Sequence, residues 1–133
     1  MDGSGSQRGR HRYDEVYGEG AADRLLAALS GPGAALGRYG IDFNFGEIYS
    51  RPGLDLRQRQ IASIAALVGM GDCAPQLKGH IKAGLNVGLT EDEIVEVIIH
   101  CVQYVGFPRA INAANVARGV FAERAAATGG KDG

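Results

Sequence analysis

A chain of 133 residues with 45% apolar side chains has the size of one domain and is too apolar for a disordered polypeptide. Its acidic and basic residues nearly balance at a formal charge of −1, which argues against a nucleic-acid binder, because such proteins carry a basic stripe. No apolar run is long enough to span a bilayer, and the Gly-, Ser- and Arg-rich N-terminus lacks the apolar stretch of a secretory signal. The expectation is a cytoplasmic protein with neither membrane nor nucleic-acid partners.

In chain order, residues 1–12 are polar and glycine-rich and read as a flexible leader, residues 13–127 as one helical domain, and residues 128–133 as a flexible tail. Helices are expected from Ala21 to Leu29 and from Tyr39 to Tyr49, separated by the Ser30-Gly31-Pro32-Gly33 breaker. Arg51-Pro52-Gly53 forms a turn. Asp55-Leu56-Arg57-Gln58 then has the D-x-x-Q form of a helix start, followed by Ile61, Ile64, Ala65 and Val68 on one face. Gly69 and Gly71 interrupt that helix. The next runs from about Ala74 to Val87, with Pro75 in its first turn and Gly88 beyond its end.

Thr90-Glu91-Asp92-Glu93 has the T-x-x-E pattern of a capping box, and Ile94, Val97, Ile98, Cys101, Val102 and Val105 follow as an amphipathic stripe. Gly106 and Pro108 end this helix and open another. The reading is all-α, about six helices and no sheet. The stripes are wide and rich in alanine and glycine, so self-association is expected, with closure of every stripe into one monomeric core as the alternative.

His80 borders the apolar face of its helix, beside Leu77, Ile81 and Gly84. A buried imidazole serves as acid, base or hydrogen-bond donor, or merely as a satisfied core residue. Glu47 falls among Phe43, Phe45 and Tyr49, where desolvation would favour its protonated form; an exposed acid, or a partner for Arg51 or Arg59, is the alternative. Arg59 and Arg109 are of the type that holds a carboxylate bidentately. Glu93, Glu96, His100 and Gln103 form a polar track that is either a solvated face or, near His100, a pocket wall. Cys73 sits near a helix start that would activate a thiol, or is simply a small buried side chain. Cys73 and Cys101 form no CxxC pair, and His11, His80 and His100 are scattered, so no metal site is expected.

Two blocks carry a resemblance. Phe45-Gly46-Glu47-Ile48-Tyr49-Ser50-Arg51-Pro52-Gly53-Leu54-Asp55-Leu56-Arg57 resembles the GE-[VI]-[WY]-S-R-P-G-L-D-L-R segment of carboxymuconolactone decarboxylases. Gln76-Leu77-Lys78-Gly79-His80 through Ala83-Gly84-Leu85-Asn86-Val87-Gly88-Leu89-Thr90 to Glu93-Ile94 also resembles that family. So does Tyr104-Val105-Gly106-Phe107-Pro108-Arg109-Ala110-Ile111-Asn112-Ala113, which is similar to its Y-x-G-[FW]-P-x-A-x-N-A ending. The resemblance implies the AhpD-like helical fold, trimers or hexamers, and a role in aromatic catabolism. The related alkylhydroperoxidase D enzymes use E…CxxCxxxH. Here Gln76 replaces the second cysteine and Gln60 lies near the glutamate position, which argues against a dithiol peroxidase.

The implied activity is decarboxylation of 4-carboxymuconolactone or a related carboxylated lactone or keto acid, without cofactor. The lactone accepts the electron pair left by CO₂, so the protein need only orient the substrate and move a proton. His80 would be the proton donor or oxyanion partner and Glu47 its companion. Arg51 or Arg59 would hold a carboxylate, with Cys73, His100 and Tyr104 as further pocket residues. Decarboxylation or cyclisation of a larger natural-product intermediate, a single-cysteine peroxidase on Cys73, and a non-catalytic assembly module are the alternatives.

Overall fold

The computed structural model describes residues 4–132. Every regular element among them is helical: α1 (Ser4–Tyr17), α2 (Ala21–Ala28), α3 (Ala34–Tyr39), α4 (Leu56–Met70), α5 (Ala74–Asn86), α6 (Glu91–Val105) and α7 (Phe107–Asp132). A 3₁₀ turn covers Gly31–Gly33, and a π-helical segment, Gly40–Ile48, continues α3. Seven α-helices replace the expected six or so: α1 and α3 are additions, and the helix expected from Tyr39 to Tyr49 is the π-helical segment. No helix among the described residues is long and apolar enough to cross a membrane.

The chain divides into two units, one up to Leu56 and one from Arg57. In the first, α1 lies against the π-helical segment at backbone-to-backbone distance. A Cβ on Gly9 would stand 2.2 Å from the Ile41 carbonyl oxygen, and one on Gly46 would stand 2.7 Å from that of Gly5. Only glycine allows so close an approach. The contact covers Val16 and Ile41, and Tyr13 meets Phe45 edge-on at 4.8 Å. Burial pushes the phenols of Tyr13 and Tyr17 up, so both stay neutral. Asp14 accepts hydrogen bonds from the backbone N–H of Gly20 and Ala22, which ties the start of α2 to α1. Residues 4–12, polar enough to read as leader, are therefore helical because two glycines bring their backbone onto an apolar neighbour. Residues 1–3 and 133 lie outside the described residues. From Thr128 onward, the stretch read as tail continues α7 as far as Asp132.

In the second unit, Ile64 and Val68 of α4, Leu77 and Ile81 of α5, and Ile94 and Ile98 of α6 close around α7, which offers Ala110, Ala113, Ala117 and Val120. Three alanines keep the α7 surface shallow, so its partners come near. The expected cap of α6 is present in full: Thr90 Oγ1 accepts from the N–H of Glu93, and Glu93 Oε1 accepts from the N–H of Thr90. Gly106, at φ 87°, makes the sharp α6–α7 junction that a side chain would strain.

Candidate active site

The inward positions of α5 are Leu77, Ile81 and Gly84, so His80, one step off that stripe, is half-buried. Its Nδ1 lies 2.9 Å from Oε1 of Gln60 on α4, the geometry of an N–H donated to an amide oxygen. That assignment puts the neutral ring's second proton-binding position at Nε2. Burial pushes the imidazole pKa below its ordinary 6.5. At neutral pH the ring is mostly uncharged, and its protonated form is a strong acid for a histidine.

Gln60 itself is fully buried, and its Nε2 has no hydrogen-bond partner among the described residues. A buried amide whose oxygen is spent on one imidazole is a positioning residue for that ring. In the sequence, Gln60 stands out only as a departure from a glutamate. Its signal was present nonetheless: Gln60, Ile64 and Val68 share one stripe at four-residue steps, and a polar side chain in such a stripe must find a partner inside.

A cavity of about 620 Å³ opens where the end of α4, the start of α5 and the start of α7 converge. Leu67, Val68 and Leu77 form its apolar wall, and Cys73, Arg109 and Asn112 stand on it as well. Cys73 precedes α5 as its N-terminal flanking residue, half-buried, and donates its thiol hydrogen to the Leu67 carbonyl at 3.4 Å. His80 lies seven residues beyond Cys73, about 10 Å along the axis, and is not on the wall.

The other expected residues fall on different elements, and each is described within its own unit. Of the two readings of Glu47, the exposed acid holds and the desolvated one does not. Phe45 and Tyr49 stack inward at 4.5 Å, whereas the Glu47 carboxylate is 61% exposed and pairs with Arg8 at 3.1 Å. The segment has an inner and an outer face, and Glu47 falls on the outer one. Arg8, which also donates to the Gly46 carbonyl, is its partner in place of Arg51 or Arg59. Arg51 is exposed in the turn before α4, and Arg59 is half-buried on α4. His100 and Tyr104 are exposed on α6 with ring centroids 5.8 Å apart, and Gln103 donates to the His100 carbonyl. Glu47 and Arg51 thus belong to the first unit, and the other five expected site residues to the second.

The family model for the carboxymuconolactone decarboxylase family matches residues 34–119. A 4-carboxymuconolactone decarboxylase of Acinetobacter baylyi is 36% identical over 107 residues, which is 80% of this chain and 79% of that one. An uncharacterised 15.0 kDa protein of Paracoccus denitrificans is 35% identical over 59% of this chain and 60% of its own. A nitrosuccinic acid decarboxylase of Metarhizium robertsii is 33% identical over 54% of this chain and 50% of its own. The chain belongs to the carboxymuconolactone decarboxylase family.

Proposed function

We propose that this chain, a carboxy-lyase of the family just named, removes CO₂ from 4-carboxymuconolactone or a related carboxylated lactone or keto acid, with His80 supplying the proton that replaces the carboxyl group. The supporting observation is the imidazole bound to Gln60 at 2.9 Å and held by burial below its ordinary pKa. As the C–CO₂⁻ bond breaks, its electron pair passes through the ring double bond to the lactone carbonyl. The delocalised anion then takes a proton from the His80 imidazolium, leaving neutral imidazole, and solvent restores that proton. The sum is one carboxylate and one proton giving CO₂ and a C–H bond. Glu47 is proposed as an acid–base or orienting residue, Arg51 and Arg59 as carboxylate ligands, and Cys73, His100 and Tyr104 as further substrate contacts. The relation to a nitrosuccinic acid decarboxylase supports a second reading, in which the acid is not a lactone.

Mass spectrometry of candidate acids incubated with the protein reads the activity as loss of CO₂. His80→Gln is expected to lower kcat by about 10²–10⁴-fold, the worth of a positioned acid. Wild-type kcat should rise as pH falls below 6.5 toward the lowered pKa, and the variant should lack that limb. Near-normal turnover in folded His80→Gln removes the imidazole from the chemistry. We propose further that copies associate as trimers or hexamers within an AhpD-like fold, supported by exposed Ile99, Tyr104, Phe107 and Ile111.

A further inference from the structure

The cavity at the start of α5 and α7 has a composition of its own, sharing only Cys73 with the residues proposed for the His80 chemistry. Its volume of about 620 Å³ lies inside the roughly 300–1,000 Å³ range of small-molecule sites. Leu67, Val68, Leu77 and Val116 make one wall apolar, while Arg109, Asn112 and Asn115 present polar groups from a single helix. Arg109 runs over Gly71, where a Cβ would stand 3.0 Å from its Nε, so the missing side chain leaves room for the guanidinium at the rim. Asp72 stands on the same rim, yet no ion pair joins it to Arg109 among the described residues.

We infer that this cavity binds an amphiphilic carboxylate, its anionic end on Arg109 and its aromatic or branched body against Leu67, Val68, Leu77 and Val116. The Asn112 and Asn115 amides add neutral donors near the charged end. Of the residues proposed for the decarboxylase site, only Cys73 lines this cavity and His80 does not, so binding here can be read without turnover.

Cys73 supplies a built-in reporter. It borders the cavity, whereas Cys101 is buried, so iodoacetamide should alkylate Cys73 first in the native protein. The probes are 2-naphthoate and its uncharged analogue 2-naphthamide, with alkylation of each cysteine followed by mass spectrometry. 2-Naphthoate should slow alkylation of Cys73, and 2-naphthamide should need about tenfold higher concentration for equal protection, as expected for loss of one charge-assisted contact. In Arg109→Gln the naphthoate should protect no better than the amide, and Arg109→Lys should recover part of the difference. In His80→Gln both probes should protect as in wild type. Absence of protection, equal protection by the two probes in wild type, or an unchanged preference in Arg109→Gln overturns the inference. Loss of protection in His80→Gln also overturns it. Because no turnover is measured, these outcomes are separate from the fate of the decarboxylase reading.

Discussion

Gln60 faces His80 with an amide oxygen, a neutral acceptor that does not hold a proton on the ring as a carboxylate would. Gln60→Glu should therefore raise the His80 pKa, which NMR titration of a protein with only three histidines can follow directly. An unchanged titration would mean that the two side chains do not meet in solution. The same lowered pKa links stability to pH. The unfolded chain takes up a proton on His80 near 6.5, before the folded chain does, so acid favours unfolding as pH falls through 6.5 to the lowered value. The denaturation midpoint should accordingly drop less in His80→Gln than in wild type between about pH 7.5 and about pH 5.5. Equal drops would remove His80 from the linkage. At this scale the placement of His80 at the edge of the apolar face was legible from Leu77, Ile81 and Gly84, and its half-burial came from the structure. The outward turn of Glu47 was not, because apolar neighbours in sequence do not tell which face of a helix a carboxylate takes.

Elements whose signals are local were legible in the sequence. The start of α6 follows from Thr90 and Glu93 alone, since both halves of its capping box lie within one turn. Thr90→Ala should cost about 1 kcal/mol, read as a lowered urea midpoint with unchanged slope. An unaltered midpoint would show that the cap contributes nothing in water. Helix α1 depends instead on a fit between residues more than thirty positions apart, Gly9 with Ile41 and Gly46 with Gly5. No window of sequence carries that information. Gly9→Ala should displace α1, because the new methyl would need the space of the Ile41 carbonyl. The expected outcome is lower helical circular dichroism and a reduced Tm. The π-helical register of Gly40–Ile48 was equally hidden, since nine residues with scattered apolar positions do not separate wide helical turns from ordinary ones.

For the molecule as a whole, the two motif blocks sufficed to indicate the family, because order and spacing over a long stretch are far more specific than any single residue. The sequence bears on the proposed assembly only through a surplus of apolar stripes. In the structure that surplus includes Val95 and Ile99 on α6 and Ile111 on α7, each more than a third exposed. Sedimentation should give a particle whose mass is a multiple of 13.9 kDa, and Ile99→Lys should shift it toward the single chain. A wild-type protein sedimenting as one chain would refute the proposed assembly.

The glycine contact of α1 also bears on how the protein can be shortened. An expression fragment cut to the matched residues 34–119 would lose Arg8, Gly9, Tyr13 and Val16 together, stripping the cover from Ile41 and Phe45. Such a fragment should precipitate or bind hydrophobic dyes, whereas one beginning at Ser4 keeps every residue of that cover.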